Sequence, residues 1–319
     1  MKVVVTRQIP EVGIELLKQA GFETIVSSKD GVLTQDELKE FVKGADAILS
    51  LLTDKIDASV LDSAGPQLKV VANYAVGYDN INIDDCKAKN VIATNTPGVL
   101  TETVAEHTIG LLFAVAQNIS QADKYTREGK FMGWGPMLFL GTDVRNKTIG
   151  IIGLGRIGLE IVKRLKDGFG INFIYYDLKR NEQAEKEFGV QFVSLEDLMK
   201  NSDFVSIHVP LTPETKHLIG EKELRLMKKT AYLINTSRGA VIEEAALVKV
   251  LQERVIAGAG LDVYENEPKL SEGLAQLDNV VLLPHIASAS FDTRSKMSEM
   301  AAQNIVAVLG GQAPINPIV

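Results

Sequence analysis

Residues 149–158 read Ile149-Gly150-Ile151-Ile152-Gly153-Leu154-Gly155-Arg156-Ile157-Gly158. An apolar run leads straight into G-x-G-x-x-G, and a helical pattern follows from Arg156 to about Lys166. In that position Gly153 lets the chain turn, Gly155 lets the backbone approach a pyrophosphate at the helix N-terminus, and Gly158 lets helix and strand pack closely. Asp177 ends the next apolar run, 19 residues past Gly158, where a carboxylate can hydrogen-bond the hydroxyls of an adenosine ribose. The same carboxylate repels a 2′-phosphate, so NAD(H) is expected in preference to NADP(H). Lys179 and Arg180 follow closely enough to keep NADP(H) open.

On both sides of this motif short Val/Ile-rich runs alternate with helical patterns, the signature of a doubly wound parallel sheet. Upstream the runs are Val3-Val4-Val5, Thr24-Ile25-Val26, Ala47 to Leu51, Leu68 to Ala72 and Val91 to Thr94. The alternation stops at Thr96-Pro97-Gly98, and a long helix is expected from about Glu102, with Thr101 as its cap and Leu112, Val115, Ala116 and Ile119 on one stripe. A second alternating series runs from Thr148 to Leu283, and a last helix covers roughly Ser290 to Leu309. With 319 residues the chain exceeds what one core usually organises. Two domains are therefore expected: residues 1–98 with 287–319, and residues 99–286.

A net charge of −7 and a pI near 5.3 argue against nucleic acid and anionic membranes as partners. No apolar stretch approaches the ~20 residues of a membrane span. Cys86 is the only cysteine, so no intrachain disulfide can form, no metal site is implied, and a cytoplasmic, reducing setting is expected.

Chemistry in an open parallel sheet gathers just past the carboxyl ends of strands. Three apolar runs end in an Arg, a Glu and a His: Ala231 to Asn235 before Arg238, Gly260 to Val263 before Glu267, and Val280 to Leu283 before His285. An arginine grips a carboxylate bidentately and polarises the adjoining carbonyl. A histidine gives a proton during reduction and takes one during oxidation, and a carboxylate bonded to it favours the imidazolium. Beside a dinucleotide site, this set suits hydride transfer to a small 2-keto acid. His107, His208 and His217 read as structural or merely exposed, and Trp134 as an anchor for a partner chain.

These residues, together with Asn73-Tyr74-Ala75-Val76-Gly77-Tyr78-Asp79-Asn80 and Pro284-His285-Ile286-Ala287-Ser288, resemble the D-isomer-specific 2-hydroxyacid dehydrogenase family over essentially the whole chain. Within it, the glyoxylate/hydroxypyruvate reductase branch is most similar. The resemblance implies an α/β fold of two doubly wound parallel-sheet domains, a Rossmann cofactor domain inserted into a flavodoxin-like substrate domain. It implies Arg238, Glu267 and His285 as the catalytic triad, and the Val76 and Gly77 amides, with Arg238, as holders of the substrate carboxylate. It further implies cofactor contacts at Thr103, Arg156, Ile157, Val209, Pro210, Thr215, Thr236, Asp262 and Ser288, besides Gly153, Gly155, Gly158 and Asp177. Arg238 and His285 touch the cofactor too on this reading, and Asp262 meets the nicotinamide carboxamide. The expected activity is NADH-dependent reduction of glyoxylate or hydroxypyruvate by a homodimer. D-lactate dehydrogenase, 2-ketogluconate reductase and other 2-keto acid reductase activities are the alternatives, and a dinucleotide-sensing binding protein is a remote one.

Overall fold

Val3, Val4 and Val5 are wholly buried, as are Ile149, Ile151 and Ile152, because a strand in the middle of a parallel sheet is covered on both faces and has no side free for polar residues. Burying each such side chain stabilises the fold by roughly 1.5–3 kcal/mol. The computed structural model describes residues 1–319, which form two compact units: Met1–Leu100 with Ser288–Val319, and Thr101–Ala287.

The first unit runs β1 (Lys2–Val5), α1 (Glu11–Gln19), β2 (Glu23–Val26), α2 (Gln35–Phe41), β3 (Ala47–Leu51), α3 (Ala58–Ala64), β4 (Val70–Tyr74), α4 (Ile83–Ala88) and β5 (Ile92–Thr94). Its strands are all parallel in the order β2-β1-β3-β4-β5, the flavodoxin-like order. Side chains start its helices where the sequence supplies them: Thr34 and Glu37 form a capping box before α2, while Asp57 and Asn82 cap α3 and α4. The C-terminal helix Phe291–Leu309, capped by Ser290, packs on α1 and β4. It lies so close to α1 that a Cβ on Gly13 would collide with Ser298.

The second unit runs α5 (Thr101–Ala116), α6 (Ile119–Arg127), β6 (Thr148–Ile152), α7 (Arg156–Phe169), β7 (Asn172–Tyr176), α8 (Glu182–Phe188), β8 (Gln191–Phe192), α9 (Leu195–Asn201), β9 (Phe204–Ile207), α10 (Glu221–Leu224), β10 (Tyr232–Asn235), α11 (Glu244–Gln252), β11 (Gly258–Leu261) and β12 (Val280–Leu282). Its seven parallel strands lie in the order β12-β11-β10-β9-β6-β7-β8, so the chain reverses direction across the sheet between β6 and β9. That is the Rossmann arrangement, with its switch point at the carboxyl end of the glycine-bearing strand. Two apolar cores cover the sheet's faces: Ile149 and Ile151 enter the one under α5 and α7, Ile152 the other.

Two expectations about the long helix fail. Thr101 is its first residue rather than its cap. The stripe also stops short of Ile119, because Asn118 turns left-handed at φ 54°, and Ile119 begins α6 with 53% of its surface exposed. No helix is long and apolar enough to cross a membrane.

Candidate active site

At the switch point of the second unit the three fingerprint glycines answer to three separate constraints. Gly153 has φ 92°, and a Cβ there would lie 2.9 Å from the His208 carbonyl carbon and the Val209 side chain, so only glycine fits between β6 and β9. A Cβ on Gly158 would lie 2.6 Å from the Gly153 oxygen; helix and turn could not approach with any other residue there. At Gly155, the residue before α7, nothing lies within 4 Å of the Cβ position. The backbone is open at the one place where a pyrophosphate must come close, so the turn fits a dinucleotide.

Asp177 follows β7, and its carboxylate accepts from the Leu154 amide at 2.9 Å and the Leu178 amide at 2.7 Å. It is thereby fixed at the lip of the glycine turn. Arg180 is turned elsewhere: its guanidinium meets Glu185 bidentately, Nε at 2.8 Å and Nη2 at 2.7 Å. The Arg180 guanidinium, and after it the Tyr175 hydroxyl, hold the Glu185 carboxyl down to about 2. Lys179 is exposed.

The remaining expected cofactor residues, Ser288 apart, fall on several segments of this unit. Arg156 and Ile157 open α7, the first exposed and the second half-buried. Val209 and Pro210 follow β9, in a turn pinned by Thr215, whose hydroxyl donates to the Pro210 oxygen at 2.6 Å and accepts from the Thr212 amide at 2.8 Å. Thr236, after β10, shares a 2.8 Å hydrogen bond with Thr108 of α5, and Thr103 lies in the first turn of α5. Burial pushes the His208 imidazole down to about 3, so it is neutral; it bonds Ser206 at 2.8 Å.

Arg238 follows β10 on a loop locked by Asn235, which is fully buried, takes the Ser237 amide at 3.0 Å and donates to the Arg238 oxygen at 2.9 Å. A Cβ on Gly239 would fall inside the backbone of Tyr264 and Glu265, so the arginine loop is pressed onto the loop that carries Glu267. Glu267 is oriented through Oε1, which accepts from the Tyr264 amide at 3.0 Å, and its Oε2 lies 2.9 Å from His285 Nδ1. With Nδ1 turned to the Glu267 carboxylate, Nε2 is the ring nitrogen of His285 that this pairing leaves open.

His285 has φ 55°, a region that side chains other than glycine seldom occupy. Asp262 holds it there: its backbone oxygen accepts from the His285 amide at 2.9 Å, and its two carboxylate oxygens accept from Ile286 at 2.8 Å and Ala287 at 2.7 Å. Asp262 is fully buried, with His107 Nε2 3.7 Å away; both of its oxygens serve this backbone segment, a role that its place beside a strand end did not announce.

Glu244, at the start of α11, is another group not singled out from the sequence. It is 3% exposed, and its oxygens accept from the Glu265 and Ser271 amides at 2.7 Å each, clamping both ends of the loop that bears Glu267. His217, read as merely exposed, pairs with Glu265 at 2.6 Å. For Glu244 the signal available in the sequence was the Glu243-Glu244 pair at the head of the largely apolar Ala245 to Leu251 run, broken only by Lys249.

In the first unit, Val76 and Gly77 follow β4, half-buried, and Ser288 lies just before the cap of the C-terminal helix, its oxygen accepting from the Ser290 amide at 3.0 Å.

A family model for the NAD binding domain of D-isomer specific 2-hydroxyacid dehydrogenases matches residues 109–287. The glyoxylate reductase of Korarchaeum cryptofilum (strain OPF8) is 51% identical across 99% of this chain and 95% of its own length. That of Thermococcus litoralis is 50% identical across 99% and 96%. The crystal structure of an NADPH-dependent glyoxylate/hydroxypyruvate reductase from Sinorhizobium meliloti, in complex with NADP and malonate, is similar with a TM-score of 0.86 at 34% identity, covering 100% of this chain and 96% of that one. An open glycine turn, a carboxylate at its lip and a full-length likeness of this degree lead to one conclusion: this chain belongs to the D-isomer specific 2-hydroxyacid dehydrogenase family and is an NAD(P)-binding oxidoreductase.

Proposed function

We propose that this enzyme reduces glyoxylate or hydroxypyruvate with NADH, the second unit serving as cofactor domain and the first as substrate domain. The observation that carries the reading is the His285–Glu267 pair at 2.9 Å, set on a strained backbone. When bound, the dinucleotide supplies the hydride. His285 donates the Nε2 proton to the 2-oxo oxygen as C2 is reduced, while Glu267 stabilises the imidazolium that carries that proton. Arg238 takes the substrate carboxylate and polarises the neighbouring carbonyl, and the Val76 and Gly77 amides bind the same carboxylate.

The preference for NADH rests on Asp177 and on the engagement of Arg180 by Glu185, which leaves Lys179 as the loop's one cation without an acidic partner. The contacts assigned to Thr103, Arg156, Ile157, Val209, Pro210, Thr215, Thr236, Asp262 and Ser288 belong to the same proposal. The enzyme acts as a homodimer in this account, and a single buried cysteine suits the cytoplasm.

Replacing His285 by Gln tests the chemistry. General acids contribute typically about 10²–10⁴-fold, so kcat for keto-acid reduction should fall by at least about a hundredfold while NADH still binds, as read by its fluorescence. A fall of less than about tenfold would remove His285 from the proton-transfer step.

A further inference from the structure

Three successive peptide groups beyond β4 are each held by their oxygen. The Ala75 oxygen accepts from the Thr96 amide at 2.9 Å, the Val76 oxygen from Asn95 Nδ2 at 2.7 Å, and the Gly77 oxygen from Asn73 Nδ2 at 3.0 Å. In a trans peptide the carbonyl and the N–H point in opposite directions. The first two contacts therefore fix where the Val76 and Gly77 N–H groups point. Neither N–H has an acceptor of its own within the unit.

We propose that Asn95 and Asn73 are positioning residues for substrate binding, holding the peptides on either side of Gly77 so that the Gly77 amide is presented to the substrate carboxylate. The inference rests on the reading that the Val76 and Gly77 amides bind that carboxylate. Glycine makes such restraint necessary: with no side chain to pack, its flanking peptides rotate freely unless something outside holds them. A donor on the Val76 oxygen also polarises that peptide, which makes the Gly77 N–H a stronger donor to an anion.

The two asparagines are themselves fixed. Asn73 is fully buried, and its Oδ1 accepts from Ser50 Oγ and from Asn80 Nδ2 at 3.2 Å each. These bonds leave Asn73 Nδ2 as the group facing Gly77. Asn80 in turn donates to the Leu51 and Asp54 oxygens at 3.1 and 3.0 Å, tying the loops after β3 and β4 together. Asn95, half-buried after β5, is anchored by its own amide on the Asn316 oxygen at 3.3 Å. None of these residues needs to touch substrate; they act through the Val76 to Tyr78 backbone.

Steady-state kinetics of Asn95→Ala and of the near-isosteric Asn95→Leu, beside Gly77→Pro, test this with whichever 2-keto acid the wild type turns over best. Gly77→Pro deletes the N–H and so probes the carboxylate reading itself. A hydrogen bond to a charged group is among the stronger ones, so KM for the keto acid and Ki for oxamate should both rise about tenfold or more in each Asn95 variant. KM for NADH should stay within about twofold. A merely structural role would lower kcat through fewer active molecules and leave both constants where they were, and that result overturns the proposal. If Gly77→Pro raises KM and the Asn95 variants do not, the positioning role fails and the carboxylate reading stands. If Gly77→Pro also leaves KM unchanged, both fail. Should Asn95→Ala not fold, Asn95→Leu decides the question through the same two constants.

Discussion

His285 at φ 55° shows how a single residue is held against its own preference. Non-glycine residues in sparsely populated backbone regions cost about 1–3 kcal/mol. Hydrogen bonds to a charged group contribute ~1.5–3 kcal/mol each, and Asp262 accepts two, from Ile286 and Ala287. The clamp is therefore strong enough to hold the histidine where Glu267 meets it. Glu185 plays a comparable part at the cofactor loop, where Arg180 first, and then Tyr175, lower its carboxyl from 4.5 to about 2. The sign follows from that direction: a carboxylate depressed by folding stabilises the native state above pH 4.5, and the contribution is lost as pH falls through about 2. Glu185→Gln should thus unfold at a lower temperature than the wild type at neutral pH, and the gap should close over that acid range. Thermal melts showing the same gap at pH 7 and pH 2 would contradict this assignment.

At the scale of elements, the parts that were legible were those with short-range causes. Runs of buried Val and Ile marked the central strands, and Gly153, Gly155 and Gly158 were readable because they fall together in one strand-to-helix turn. The break at Asn118 was not legible, since Leu112 to Ile119 keeps helical spacing and only the left-handed turn removes Ile119 from the core. Asn95 and Glu244 escaped notice for a related reason: their partners, Val76 for the one and Glu265 and Ser271 for the other, lie far along the chain, where no local pattern shows them. The segment after α6 is the reverse case, plain in composition but without a period. Met132 is 92% exposed, Trp134 85%, Met137 76% and Leu140 63%, a run of apolar surface that calls for a cover. A second copy of the chain is the proposed cover. Sedimentation should give twice the monomer mass, and Trp134→Glu with Met132→Glu should return it to one; a wild-type chain that sediments as a monomer at micromolar concentration would rule the homodimer out.

Over the whole molecule, the charge balance sets a requirement that the site must meet. A chain of net charge −7 repels a keto-acid anion at long range, so capture depends on a local cation and on oriented backbone donors. Arg238 and the Val76 and Gly77 amides are the groups proposed for that work, and Asp177 with the Arg180–Glu185 pair is proposed to bias the cofactor side toward a dinucleotide without a 2′-phosphate. The most direct test is the initial rate of NADH and NADPH oxidation with glyoxylate, hydroxypyruvate, pyruvate, 2-ketogluconate and phenylpyruvate. The account predicts the highest kcat/KM for glyoxylate or hydroxypyruvate with NADH; NADH binding without turnover of any keto acid would contradict it.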